Sequence, residues 1–448
     1  MLKLGICARW TEGQTMALMA APEIEFYFRR FGWGGPQIAA RPAADLGLTV
    51  VIPCFNEPDL LPSLVSLAAC ARPDQSVEVI VVINASEDAG AEIRQQNQQT
   101  LRIASDWAKA RQDPKFQFHI LDCGDLPRRH AGVGLARKIG MDEALRRFAA
   151  VDRSGVIACF DADCLCDPNY LACLESHFRW HPSTPGCSIY FEHPLEGTAA
   201  SALDSAIIAY ELHLRYYVQA ARFALFPYAH HTVGSAMAVR STVYCAQGGM
   251  NKRQAGEDFY FLQKVISLGH FTDLTSTRVI PAARPSNRVP FGTGRAVNAS
   301  LAGASGATYP LECFLDLKQL FGAVEFLARG TPATTAELKN RLSPALRAFL
   351  NLQQFDAGVA EWRRHTASPE AFCRRFFGWF NAFRVMKFCH FARDNFYGSR
   401  PVQSEARKFI QLLGHEDKSS GDGTRSDLLS RFRALDRGGA AQRFFPGL

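Results

Sequence analysis

The 448-residue chain is too long for one small domain and fits two or three units. Hydrophobic residues make up 47% and charged residues 21%, a balance that excludes a disordered chain. The 50 basic and 43 acidic residues leave a net charge of +7, which suits an anionic substrate and is too slight for a dedicated nucleic-acid binder.

Residues 1–46 read as an irregular extension packed on the main domain, with Gly32, Gly34, Gly35 and Pro36 marking a loop. A strand–helix alternation follows. Leu48 to Pro53 is an apolar strand that Pro53 stops, and a helix runs on from Pro58. Val77 to Ile83 is nearly all β-branched, as suits a strand buried on both faces. Ala91 to Arg111 is helical, Phe116 to Leu121 a strand, Gly134 to Ala150 a helix and Gly155 to Phe160 a strand. This alternation predicts an α/β fold with a mostly parallel sheet. Pro168 to Trp180 and Ala199 to Phe223 read as helices around a strand from Cys187 to Glu192. Gly234 to Arg240 is a strand, Glu257 to Leu268 a helix and Phe271 to Ile280 a strand. From Leu311 the chain is helical, with a capping box at Thr334–Glu337 and an N-cap followed by proline at Ser368–Pro369. Glu416 to Ser426 is polar and Gly-rich, a mobile loop. The expected division is an extension over 1–46, an α/β domain over 47–298 and a helical region over 299–448.

Thirteen cysteines follow no regular spacing, and several sit in apolar runs as small hydrophobes, which favours a reducing cytosol. No apolar stretch reaches the roughly 20 residues of a membrane span. The expected location is cytoplasmic, with peripheral contact at the inner face of a membrane left open. The Phe- and Arg-rich helices between Phe372 and Arg393 have two readings. One is a membrane-surface helix. The other, favoured because aromatics cover more than half the circumference, is a buried core.

The most informative motif is Asp161-Ala162-Asp163, after the strand at Gly155–Phe160. Two carboxylates at the carboxyl end of a strand suit a hard divalent cation, where open α/β sheets bind ligands. Asn56 and Glu57 after the first strand can bind a base or ribose, or simply cap a helix. Asn84 to Asp88 forms an acidic turn at the same edge. Gly132-Val133-Gly134 precedes Arg137 and Lys138 at a helix start, a place that attracts phosphate. Glu257 and Asp258 open a helix, either complementing its dipole or supplying a catalytic base. Arg284, Arg288 and Arg295 with Gly292 and Gly294 form either a lid over a diphosphate or a basic linker.

Together these segments resemble glycosyltransferase family 2, the inverting, nucleotide-sugar-dependent transferases of the GT-A fold. The resemblance covers about residues 47 to 290. It rests on Pro53-x-x-Asn56-Glu57, the Ala136-Arg137-Lys138 segment, Asp161-x-Asp163 and Glu257-Asp258, in that order. It implies that Pro53, Asn56 and Glu57 line the nucleotide pocket. Asp161 and Asp163 would hold Mn2+ or Mg2+ across the donor diphosphate, with Asp88 on the donor side; Arg137 at its helix start and Arg288 in the basic loop are donor contacts expected from their charge alone. Asp258 would be the general base, with Glu257 as the second candidate. Gly234 and Ser235 would lie near the acceptor, and His231 just upstream would contact donor phosphate or acceptor, or be structural. The sequence departs from the family at Asn84, where an acid is usual, which leaves the role of Asp88 open. It lacks the Gln-x-x-Arg-Trp signature of processive synthases, so single addition is expected. Two rivals remain: a sugar nucleotidyltransferase, whose Gly-rich loop is missing after the first strand, and a non-catalytic nucleotide-sugar-binding scaffold. Partners are thus a nucleoside diphosphate sugar and a hydroxyl acceptor, a glycan, a lipid-linked chain or a small molecule.

Overall fold

The computed structural model describes residues 21–195, 201–284, 294–295, 297–298, 306–414 and 424–438. Within them the predicted α/β alternation is present. In chain order come α1 (Ala21–Arg30), β1 (Leu46–Cys54), α2 (Leu60–Ala68), β2 (Ser76–Ser86), α3 (Ala91–Lys109) and β3 (Phe116–Leu126). Next are α4 (Val133–Ala150), β4 (Val156–Cys159), β5 (Cys164–Cys166), α5 (Tyr170–Trp180) and β6 (Gly186–Phe191). Then come α6 (Ala202–Phe223), β7 (Met237–Arg240), α7 (Ser241–Ala246), α8 (Glu257–Ile266) and β8 (Thr272–Pro281).

The eight strands form one sheet in the order β3-β2-β1-β4-β7-β6-β8-β5. β1 runs parallel to β2 and β4, and β2 parallel to β3. β7 is antiparallel to both β4 and β6. Every residue of β1 is buried, as its run, apolar but for Thr49, requires of a central strand with both faces covered. β3 lies at the sheet edge and is only partly buried. One local expectation is overturned. Pro53 does not stop β1, which pairs Pro53 with Val82 and Cys54 with Ile83.

The chain forms two compact units. The first comprises residues 1–189 and 233–279, the second 190–232 and 280–448. In the first unit α4 is buried over most of its circumference although it carries Arg137, Lys138, Asp142, Glu143 and Arg147. The N-terminal extension explains this. Tyr27 donates its hydroxyl to Asp142 at 2.5 Å, and the Trp33 N–H reaches the same carboxylate at 2.8 Å. The backbone N–H groups of Gln37 and Ile38 donate to Glu143 at 3.0 and 3.1 Å, and Arg146 and Arg147 donate to the carbonyls of Gly34 and Ala40. Charged side chains of α4 thus satisfy the backbone of a strap that has no strand of its own.

In the second unit, Tyr216 of α6 packs edge-on against Phe314, Phe409 and Phe432 of the helices Leu311–Phe321, Val402–Leu412 and Arg425–Arg437. Phe372, Phe376, Phe377, Phe380 and Phe388 are buried, so these aromatics pack into a core. Their run is broken into Pro369–Trp379 and Ala382–Ala392, each started by a side-chain cap, from Ser368 and Asn381. The capping box lies at Thr331–Thr334 and not at Thr334–Glu337, because the helix begins earlier, at Pro332. Of the loop expected at 416–426, residues up to 423 lie outside the described ones, and Thr424 already caps the helix Arg425–Arg437. Among the described residues no helix is long and apolar enough to cross a membrane.

Candidate active site

β4 ends at Cys159, and Asp161 to Cys164 form a tight turn closed by the Cys164 N–H on the Asp161 carbonyl at 3.1 Å. The turn leads into β5, a three-residue strand that the sequence did not announce. The Ser63 hydroxyl holds the Ala162 carbonyl at 2.8 Å. Ala162 is buried, while Asp161 and Asp163 on either side remain partly open to solvent.

Arg137, in the first turns of α4, connects this turn to α8. Its Nη2 lies 2.7 Å from Asp161 Oδ1, and its Nη1 makes a close ion pair with Glu257. Both Arg137 and Glu257 are buried. Gly234 permits the arrangement, since a Cβ there would fall 2.7 Å from the guanidinium. Arg137 was expected on the donor phosphate. Its guanidinium pairs with two carboxylates, and its Nε is buried without a hydrogen-bond partner among the described residues.

Gly256 starts α8 with φ of +71°, a conformation that favours glycine and turns Glu257 and Asp258 into the first helical turn. Burial raises the Asp258 carboxyl above the ordinary range. Arg137 and the backbone N–H groups of Phe259 (2.7 Å) and Gly234 partly offset that. Burial raises Glu257 to about 7, against the pull of Arg137 and with the push of Asp258. Asp161 is raised too, by burial first, with Arg137 opposing and Asp163 and Asp258 adding to it. Asp161, Glu257 and Asp258 therefore act on one guanidinium, with Asp163 pushing on Asp161, a crowding of negative charge that a dication would relieve.

Among the described residues no group of three or more His, Cys, Asp or Glu side chains is placed to hold a metal ion. Asp161 and Asp163 alone offer hard oxygen donors in one turn. A pair of that kind fits a cation that takes its other ligands from a diphosphate and water.

The other predicted residues separate. Asn56 has φ of +48° and donates its N–H to Asn97 Oδ1 at 3.0 Å, while Asn97 Nδ2 reaches the Asn84 carbonyl at 3.0 Å. Glu57 is fully buried, and its carboxylate accepts the Asp59 N–H at 3.0 Å just ahead of α2. Pro53 is buried within β1. Asp88 is exposed; the Ser86 hydroxyl holds its carboxyl below the usual range, and Arg128 lies 3.2 Å away. Ser235 is buried beside Gly234. His231 belongs to the second unit, where its Nε2 lies 3.0 Å from the buried Asp436. Arg288 and Gly292 lie outside the described residues.

Sequence reasoning missed a cleft of about 450 Å³ beyond the carboxyl ends of β2 and β3, lined among others by Trp33, Gln37, Arg94, Asn97 and Asp122. Trp33 and Gln37 come from the strap, whose course no local periodicity encodes.

Residues 49–244 match the family described as Glycosyl transferase family 2. The α/β part of the chain thus carries a glycosyl transferase family 2 domain. The matched span runs from β1 through α7 and holds Asp161, Asp163 and Arg137, with Glu257 and Asp258 just beyond its end. The family 2 domain makes the chain a glycosyltransferase. No curated protein sequence matches it. Solved structures similar to it include S. aureus TarS 1-349 in complex with UDP-GlcNAc, at 13% identity, over 76% of this chain and 92% of that one, with a TM-score of 0.38. Another is the mannosyltransferase PcManGT from Pyrobaculum calidifontis in complex with GDP-Man and Mn2+, at 15% identity, over 93% and 94% of the chains, with a TM-score of 0.35.

Proposed function

We propose that the family 2 domain transfers a hexose from a nucleoside diphosphate sugar to a hydroxyl acceptor, with inversion at the anomeric carbon and one sugar per encounter. The observation that carries this reading is the Arg137 bridge, which holds the Asp161–Asp163 turn and the Glu257–Asp258 helix start in one cluster.

Asp161 and Asp163 would hold Mn2+ or Mg2+, which when bound neutralises charge on the leaving diphosphate. Asn56, at the end of β1, would face the nucleotide. Asp258 takes the proton of the acceptor hydroxyl at its carboxylate. The acceptor oxygen forms a bond to the anomeric carbon as the bond from that carbon to the phosphate oxygen breaks, and the nucleoside diphosphate leaves. The Arg137–Glu257 contact supports Asp258 over Glu257 in this role. A carboxyl raised by burial is a stronger base once ionised.

The test is nucleoside diphosphate release from a panel of nucleotide sugars with manganese. One donor should turn over slowly without an acceptor. Asp163→Ala should abolish release and weaken donor binding. Asp258→Asn should lower kcat by ~10²–10⁴ and leave donor affinity within about twofold. No release, with no metal-dependent binding of any donor, would leave the scaffold reading in its place.

A further inference from the structure

Two loops of the first unit interlock at the start of α4 and α8. Gln254 Nε2 donates to the Arg128 carbonyl at 3.2 Å, and the Arg253 carbonyl packs against Gly134. A Cβ at Gly134 would also fall 3.0 Å from the Glu257 Cβ, so these loops border the carboxylate cluster. Between them lies an open depression of about 620 Å³ lined by Glu87, Pro127, Arg128, Arg129 and Gln254.

The loops are rich in exposed cations. Arg128 pairs with Asp88 at 3.2 Å. Arg129, Lys252 and Arg253 are exposed and pair with no carboxylate among the described residues. Two of them rest on aromatic faces: Lys252 Nζ lies 5.1 Å from the Trp33 ring and Arg253 Cζ 3.7 Å from the Tyr260 ring. Trp33 in turn packs edge-on against His130 at 6.2 Å. Stacking on a ring face orders a cation without cancelling its charge. The local positive field is felt by His130, whose imidazolium is disfavoured by desolvation and then by Lys252 and Arg129.

We propose that this rim of Arg129, Lys252 and Arg253 binds a phosphate-bearing acceptor and presents its hydroxyl to the neighbouring Asp258. The inference rests on the transferase reading above. The donor diphosphate is already served by Asp161 and Asp163, so the rim answers a second anion. Lys252 and Arg253 lie on the loop that leads into α8, at whose start Asp258 stands. Arg129 in the open depression, with Lys252 and Arg253 exposed on the adjoining loop, supplies fixed cations that suit phosphate oxygens on a long substrate.

Calorimetry with inorganic tripolyphosphate on the full chain in EDTA tests this. Without a dication the four carboxylates repel the anion, so binding there reports on the rim. Wild type should bind, and affinity should fall steeply between about 50 and 200 mM salt. Arg129→Glu, Lys252→Glu and Arg253→Glu combined should weaken binding at least ~10-fold. The milder pair Arg129→Gln and Lys252→Gln, away from the Gly134 contact, should show a smaller loss in the same direction and covers a misfolded triple variant. UDP or GDP affinity with manganese should stay within about twofold in the variants, since those anions bind elsewhere. Phosphatidylglycerol vesicles added as a second probe separate the sources. Rim-dependent vesicle binding assigns the phosphate to a lipid headgroup, and its absence assigns it to a soluble glycan.

Tripolyphosphate binding absent from wild type, or unchanged in both variants, overturns the proposal. So does a parallel loss of UDP or GDP affinity in the variants, because the rim would then belong to the donor. Tighter rim-dependent binding of a single-stranded oligonucleotide than of tripolyphosphate overturns it in favour of nucleic acid. Failure of wild type to bind any nucleotide counts against the transferase reading instead.

Discussion

Arg137 sets the character of the cluster. It is buried, and so is its partner Glu257, so neither charge is stabilised by water. Removing one member of such a pair strands the other. The same crowding governs protonation. Glu257 and Asp258 are adjacent and titrate as a pair, with apparent values that belong to both. Because burial favours their neutral forms, and a base must be ionised, kcat/KM should rise with pH through an apparent pKa above the ordinary 3.8 of an aspartate. Glu257→Gln frees Arg137 to act on Asp258 and should shift that rise to lower pH. A rise centred near pH 4 in wild type would exclude Asp258 as the base. Stability takes the opposite sign. With Glu257 raised from 4.5 to about 7, the folded state holds the extra proton, so this residue's contribution falls as pH rises through that window.

At the scale of elements, α4 joins the sheet, the strap and the active cluster. Lys138 and Asp142 form a buried pair at 3.1 Å, and Tyr27 and Tyr244 donate to the same carboxylate at 2.5 and 2.6 Å. Burial pulls the Lys138 ammonium down, with Asp142 opposing. Asp142→Asn removes the counter-ion and weakens three hydrogen bonds. It should destabilise the first unit by about 3–5 kcal/mol, read from urea unfolding. Loss below about 1 kcal/mol would mean that the strap is not held by this carboxylate. Trp33 and Gln37 of the strap line the cleft beside β2 and β3, so the extension shapes that cleft.

For the molecule as a whole, two units each carry a core and a buried ionic network. In the second, Arg215 pairs with Glu211 at 2.9 Å and closely with Asp436, and Arg433 pairs with Glu211 at 2.7 Å. Asp436 comes from the last described helix and anchors it on α6. His231, Arg215 and Arg222 outweigh burial and hold its carboxyl down at about 2. Against the ordinary 3.8, that is about 2 kcal/mol of stability, present above pH 4 and lost as pH falls through 2. Asp436→Asn should therefore cost about 2 kcal/mol at pH 7, and the difference from wild type should shrink at pH 2. An equal difference at both values would exclude the ionised carboxylate as the source.

What the sequence determined by itself was local. Apolar runs and helical periodicity placed the strands β1 to β4 and the helices between them, because those patterns are written in neighbouring residues. The carboxylates at strand and helix ends were legible for the same reason: Asp161, Asp163, Glu257 and Asp258 follow directly from where an element stops or starts. Ser368–Pro369 was readable because a cap depends on three or four residues. The tertiary structure alone decided what those groups face. It joined Arg137 to the carboxylates of Asp161 and Glu257, and it buried Glu57 with its carboxylate on the Asp59 N–H. It set His231 against Asp436, 205 residues away in the chain. It also gave residues 190–232, in mid-sequence, to the unit built by the C-terminal helices. Burial and charge pairing are made by contacts between distant segments, and no local pattern carries them.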